Sequence, residues 1–101
     1  MKKYKIRYLE MFETDVQETV KYIAKTLQNH AAAQSLLEEI YKEIHKRSEM
    51  PFLSESVRLL YDPHNLYYRI YVKNYVIYYV VIDDIIEIRR FLYGKRNIES
   101  I

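Results

Sequence analysis

The sequence predicts an α+β fold in the order β-α-α-β-β-β, with an antiparallel sheet and a helical hairpin packed on one face of it. Three observations predict this class. The chain starts with alternating polar and apolar residues, continues with apolar residues at helical spacing, and returns to alternation from residue 67 onward. The 101 residues suffice for one hydrophobic core, so we expect a single domain over residues 1–101.

The first half of the chain predicts one strand and two helices. Residues 3–8, KYKIRY, alternate charged and apolar side chains, as in a half-buried strand. Thr14, followed three residues later by Gln17, is a capping-box pattern and predicts a helix over residues 15–27. Asn29 is a candidate N-cap for a second helix. Because only a short connection separates the helices, we expect an antiparallel hairpin.

The second half predicts a loop followed by an antiparallel meander. Residues 50–66 show no clear period and contain an Asp-Pro turn signal, which predicts a loop. Residues 67–72, 75–82 and 85–93 are rich in Tyr, Val and Ile, and polar pairs of turn residues separate them. A helical hairpin can cover one face of so small a sheet, so we expect the other face to be open and to carry the function.

Alternation along the strands predicts which side chains lie on this open face. On the first meander strand they are Tyr67, Arg69, Tyr71 and Lys73, and we expect them to be exposed. On the last strand they are Ile85, Glu87, Arg89, Phe91 and Tyr93. The opposite, core-facing set of the last strand is Ile86, Ile88 and Leu92, which Arg90 interrupts as a charged exception.

Composition excludes several classes of function. The formal net charge is only +2, too small for a polycation that binds nucleic acid with its whole surface, but four cations and no acid lie between residues 88 and 98. The single glycine excludes a phosphate-binding P-loop, a dinucleotide fingerprint and a G-x-S-x-G nucleophile turn. We therefore expect no cofactor.

Metal sites and export are also not expected. The chain has no cysteine, and its histidines, His30, His45 and His64, are scattered without the spacing of metal ligands. We expect them in surface or capping roles, and Asp83-Asp84 as turn residues. No secretory segment and no apolar run of membrane-spanning length is present, which predicts a cytoplasmic protein without a membrane partner.

The remaining candidate site is cationic and aromatic. Such a face can bind RNA, because guanidinium groups pair with phosphates and tyrosines stack on bases, and it can stabilise charge at a scissile phosphate. It can equally bind an acidic protein. A purely structural interpretation also stands, since seven of the 12 tyrosines lie between residues 67 and 93, where strand propensity favours them. The members are Arg69, Lys73, Arg89, Lys95 and Arg96, interleaved with Tyr67, Tyr71 and Tyr93.

The segment from Tyr68 to Asn97, YRIYVKNYVIYYVVIDDIIEIRRFLYGKRN, resembles the RelE/ParE superfamily of bacterial type II toxins. The helical stretch with Asp15, Val16, Ile23 and Ala24 is similar too. The resemblance covers nearly the whole chain. It implies a growth-inhibiting toxin that a cognate antitoxin, encoded beside it, neutralises, with operator DNA bound only indirectly through the antitoxin.

Members of the RelE branch cut messenger RNA on the ribosome, and this activity is one alternative. In that case the resemblance implies a metal-independent endoribonuclease with Arg69, Arg96 and Tyr93 as catalytic residues. The chain departs from this branch, because Tyr71 and Val76 stand where the branch usually has basic residues.

These departures favour the ParE branch, whose members poison DNA gyrase. The same surface then binds a target instead of cleaving a substrate. The expected target-binding residues are Arg69, Tyr71, Lys73, Arg89, Tyr93, Lys95 and Arg96. A third alternative is a diverged, inactive toxin that only binds its antitoxin.

Overall fold

A computed structural model describes residues 3–96 and residue 98. A five-stranded sheet has the strand order β1-β5-β4-β3-β2. Two helices lie between the first and second strands, and a five-residue π-helical turn, Tyr22–Thr26, extends the first of them. The elements are β1 (Lys5–Tyr8), α1 (Glu10–Lys21), α2 (His30–Arg47), β2 (Val57–Leu59), β3 (Asp62–Val72), β4 (Tyr75–Ile82) and β5 (Ile85–Tyr93).

The predicted α+β class is confirmed, and β3, β4 and β5 form the expected antiparallel meander. The sheet as a whole is mixed, however, because β1 pairs with β5 in parallel. Backbone hydrogen bonds at both ends hold β1 in place, from Lys5 N–H to Asp84 O (2.8 Å) and from Leu9 N–H to Ile88 O (2.9 Å). Alternation within β1 shows that it is a strand but carries no information on the direction of its neighbour.

The two helix starts differ in how well the sequence predicted them. The expected cap at Asn29 is confirmed, since the Ala32 N–H donates to Asn29 Oδ1 at 3.0 Å. The predicted start of α1 is wrong. This helix begins at Glu10 after an extended Leu9, which provides no side-chain cap, and Thr14 lies inside it. Burial of Phe12, which is fully covered, stabilises the first turn instead of a capping box.

The predicted loop over residues 50–66 is only partly correct. It contains the short strand β2 and the first residues of β3, which starts at Asp62. Pro63 is tolerated in β3 because β2, the partner at this end, has only three residues and forms an edge of the sheet. A strand of this length is too short to show a period in the sequence.

The main core lies between the helices and one face of the sheet, as predicted. A β-bulge at Arg89 modifies this face, because Tyr79 pairs with Ile88 whereas Tyr78 pairs with Arg90. The extra residue reverses the alternation beyond it. The buried members of this core are Phe12, Val16, Leu36, Ile40, Ile44, Ile70, Val72, Ile77, Tyr79, Ile86, Ile88 and Phe91.

The bulge corrects three predicted positions. Phe91 and Tyr93 were expected on the open face, but Phe91 belongs to the helix-side core and Tyr93 pairs with Tyr75, which packs against that core. Leu92, expected in that core, lies in a second cluster. The predicted open face is also wrong in part, since this second cluster covers its centre, and Tyr67, expected to be exposed, is only 3% exposed. The cluster comprises Leu59, Tyr67, Val76, Tyr78, Val80, Leu92 and Ile98.

Within residues 3–96 and 98, neither helix combines the length and the apolar character needed to cross a membrane.

Candidate functional site

Two turns meet at one end of the sheet and form a cleft of about 240 Å³. The Gly94 N–H donates to Asn74 O at 2.7 Å, which joins the end of β5 to the turn between β3 and β4. A Cβ at Gly94 would lie 3.1 Å from the same oxygen, so the single glycine of the chain permits this close approach. We call this site the turn-end cleft. Its lining residues are Tyr71, Lys73, Asn74, Tyr75, Val76, Tyr93, Gly94 and Lys95.

A row of stacked rings supports one wall of the cleft. Tyr75 stacks on Phe91 with 4.8 Å between ring centroids, and Tyr93 meets Tyr75 edge-on at 5.9 Å and 76°. Burial raises the pKa of Tyr75, and the nearby hydroxyl of Tyr93 raises it further. Tyr93 remains 47% exposed. The ring of Tyr93 is therefore accessible to solvent, and its contact with Tyr75 fixes its orientation.

The opposite wall comes from β3. Tyr71 is 64% exposed, and its cross-strand partner Val76 is buried at 4% exposure. Val76 lines the cleft together with Tyr71 and gives it an apolar patch. Arg69, two residues earlier in β3 and on the same side of the strand by alternation, is half-buried.

The charges in the cleft are positive. Lys73 and Lys95 are both exposed, and no Asp, Glu or His is among the lining residues. Arg96, next to Lys95, is exposed as well, and its backbone N–H donates to Tyr93 O at 2.9 Å. The cleft can therefore attract an anion and stack a planar group.

Arg89 does not line the turn-end cleft. Its guanidinium donates to Glu87 Oε1 (2.9 Å), Asp62 Oδ2 (2.8 Å) and the hydroxyl of Tyr67 (2.7 Å), and its side chain is 20% exposed. Arg7 adds a second cation to Glu87 at 2.5 Å. The network therefore joins β1, β5 and β3 across the sheet.

The network shifts the pKa of its members. A hydrogen bond from the Tyr67 hydroxyl is the largest cause that lowers the pKa of Asp62. Burial by itself would raise the pKa of Glu87, but hydrogen bonds from Arg7 and Arg89 outweigh it and lower this pKa. Burial, followed by the hydrogen bond to Asp62, raises the pKa of Tyr67 to about 12. These shifts are typical of a stabilising ion network whose charges are already satisfied.

Sequence reasoning missed Arg47, the last residue of α2. Its Nη1 donates to Arg69 O (2.9 Å), Tyr79 Oη (3.1 Å) and Ser54 Oγ (3.1 Å), and Tyr79 in turn donates to Pro51 O at 2.7 Å. Arg47 thus holds the backbone of β3 at Arg69. A cation in the last turn of a helix interacts favourably with the helix dipole, which is common. Arg47 therefore did not stand out in the sequence as a residue with a special role.

The structure thus brings together part of the predicted surface. Tyr71, Lys73, Tyr93 and Lys95 line the turn-end cleft, whereas Arg89 lies in the ion network. Arg69 lies two residues before Tyr71 and Arg96 directly follows Lys95, but neither is a lining residue. The predicted surface roles of the histidines fit the structure, in which His30, His45 and His64 are exposed, and no group of three possible metal ligands occurs among the described residues.

The fold is consistent with a toxin of a bacterial type II toxin-antitoxin system, and comparison with family models shows that the chain is of this class. The chain matches the model described as "ParE toxin of type II toxin-antitoxin system, parDE" over residues 6–98. It therefore belongs to the ParE toxin family, which implies an antitoxin partner. No curated protein sequence matches the chain.

Proposed function

We propose that this ParE-family toxin inhibits bacterial growth by poisoning DNA gyrase, and that binding of its cognate antitoxin neutralises it. The observation that carries the proposal is the family match over residues 6–98, which spans both helices and includes residues of all five strands. The turn-end cleft is the surface that we assign to the target.

The chemistry of the cleft supports binding over catalysis. Its lining offers tyrosines, lysines and an asparagine but no His, Asp or Glu, the residue types that most often act in general acid-base catalysis. Tyr71 and Val76 take the place of two cations expected of a nuclease, and Val76 is buried. Arg89 is engaged by two carboxylates. The toxin therefore acts by holding its target in an inhibited state.

A supercoiling assay with purified gyrase tests the proposal. The toxin is released from its antitoxin, refolded, checked by circular dichroism and added to gyrase with relaxed plasmid. We expect inhibition of supercoiling and accumulation of cleaved DNA. Tyr71→Ala should weaken both effects about tenfold, as the loss of one exposed aromatic contact does. Tyr61→Ala is the matched control, because Tyr61 is 55% exposed but lies outside the cleft.

A negative result has a clear meaning. A folded toxin that leaves supercoiling intact and yet arrests growth contradicts gyrase poisoning. Ribosome-dependent cleavage of messenger RNA is then the activity to measure, with Arg69→Ala and Arg96→Ala as the first variants. A folded toxin that does not arrest growth in the absence of antitoxin would instead be an inactive antitoxin-binding protein.

The antitoxin should form a stable complex with the toxin. We expect it to cover part of the cleft-bearing face of the sheet or the helical hairpin, and to bury on the order of 1,000 Å² or more. The co-purified pair should elute together from a sizing column after dilution to nanomolar concentration. Separation of the two proteins under these conditions contradicts a stable complex.

A further inference from the structure

Lys73 adopts a backbone conformation that lysine rarely adopts. Its φ is 52°, in the left-handed region, which favours Gly, Asn and Asp over longer side chains. Asp83 has nearly the same φ, 55°, in the turn between β4 and β5, where the residue type suits the conformation. The turn between β3 and β4 thus holds a lysine in a conformation that Asn or Gly adopts at lower cost, as the helix connection does with Gln28 (φ 50°).

The surroundings of Lys73 indicate what this cation binds. Lys95 lies on the same cleft, and no carboxylate among the lining residues neutralises either lysine. The hydrogen bond from Gly94 N–H to Asn74 O at 2.7 Å holds the two lysine-bearing turns together. The preferred occupant therefore carries negative charge.

The occupant also carries planar groups. Tyr71 and Tyr93 line the same cleft and are 64% and 47% exposed. The edge-on contact with Tyr75 at 5.9 Å orients the ring of Tyr93. Exposed tyrosines beside uncompensated lysines are the combination with which proteins hold single-stranded nucleic acid, because bases stack on the rings while cations follow the phosphates.

We propose that the turn-end cleft binds a single-stranded polynucleotide, with a backbone phosphate at Lys73 and Lys95 and a base stacked on Tyr71 or Tyr93. An acidic protein segment would use the lysines but would leave the two exposed rings without stacking partners. The inference deepens the proposed function and rests on it for its biological setting, since the proposed target acts on DNA. Binding itself is measured without gyrase.

The test is fluorescence anisotropy with the full-length, refolded toxin. The probes are labelled oligomers of thymidylate and of uridylate about ten nucleotides long, within the usual range of site sizes. Labelled oligoglutamate is the acidic-peptide probe. We expect an oligonucleotide to bind, oligoglutamate to bind more weakly, and log affinity to fall with log salt concentration with a slope of about −0.7 per phosphate contact. Tighter binding of the thymidylate oligomer would identify DNA as the ligand, and tighter binding of the uridylate oligomer would identify RNA.

The variants separate binding from folding. Lys73→Asn removes the cation and suits the left-handed conformation, so the thermal midpoint should stay the same or rise while affinity falls and the salt slope drops by about 0.7. Tyr71→Ala should lower affinity about tenfold. Lys42→Gln, on the exposed surface of α2, and Tyr61→Ala are the matched controls and should bind normally.

Several results would overturn the proposal. These are no binding of either oligonucleotide, equal binding of oligoglutamate, or unchanged affinity in both Lys73→Asn and Tyr71→Ala. The two proposals also fail separately. Gyrase poisoning without oligonucleotide binding refutes only the present inference, whereas oligonucleotide binding without gyrase poisoning refutes only the proposed function.

Discussion

Arg90 of β5 and Asp15 of α1 form a two-point ion pair between the sheet and the first helix. Arg90 Nε lies 2.7 Å from Asp15 Oδ2, and Arg90 Nη2 lies 3.0 Å from Oδ1. Asp15 Oδ2 also accepts the backbone N–H of Phe91 at 3.0 Å. The carboxylate thus satisfies the backbone beside the bulge, and the charge that interrupts the core-facing pattern of β5 is paired, not stranded.

We expect Asp15→Asn to lower the free energy of unfolding by about 3 kcal/mol. The two side chains are only 13% and 14% exposed, so the substitution leaves the Arg90 cation mostly buried without its counter-charge. Urea denaturation followed by circular dichroism measures the change. Asp83→Asn is the control, because Asp83 is exposed in a turn and asparagine suits its conformation. Equal stability of both variants would show that the pair contributes nothing.

The ion network around Glu87 should make the free energy of unfolding depend on pH in the acidic range. The pKa values of Glu87 and Asp62 are lowered from 4.5 and 3.8, so their contribution is present above those values and disappears as the pH falls through the folded-state pKa. Unfolding free energy measured from about pH 6 to about pH 3 should therefore decrease. Glu87→Gln should be less stable at neutral pH and should show a shallower decrease. Glu49→Gln, at an exposed site, should follow the wild type.

At alkaline pH, we expect the ionisation of Tyr67 to change the free energy of unfolding. Its pKa is raised from 10.0 to about 12, so the folded state favours the neutral phenol. This contribution is complete below pH 10 and is lost as the pH rises through 12. Tyr67→Phe should lose about 1 kcal/mol near neutral pH, because a hydrogen bond is removed, and should then decline less steeply. Identical alkaline slopes in Tyr67→Phe, the wild type and the exposed control Tyr71→Phe would contradict this assignment.

We expect substitution of Arg47 to lower the free energy of unfolding more than substitution of its neighbours at the end of α2. Arg47→Met keeps an unbranched, flexible side chain but removes three hydrogen bonds that join the helix to β3, β4 and the following loop. We expect a loss of about 2 kcal/mol. Amide hydrogen exchange should also become faster at Ser54 and its neighbours. Lys46→Met, at an exposed neighbouring position, is the control, and an equally large effect there would refute the specific role of Arg47.

Periodicity was a good guide where one face of an element is buried along its whole length. It correctly predicted α2 with its cap at Asn29 and the three meander strands. It failed at the start of α1, where packing of Phe12 replaces a cap, and at β2, which spans only three residues. At the candidate site it correctly grouped Tyr71 with Lys73. It could not separate Arg89 from the cleft residues, because the role of Arg89 depends on partners that are distant in the chain.

The sequence by itself determined the α+β class, the order of most elements, the absence of glycine-rich phosphate loops and the cationic, aromatic character of one end of the sheet. Each of these depends on local pattern or composition. Only the tertiary structure decided that β1 is parallel to β5, that the bulge at Arg89 turns Phe91 inward, and that two turns close into a cleft. The physical reason is that an extra residue reverses strand alternation and that ion pairs such as Asp15–Arg90 join residues far apart in the chain.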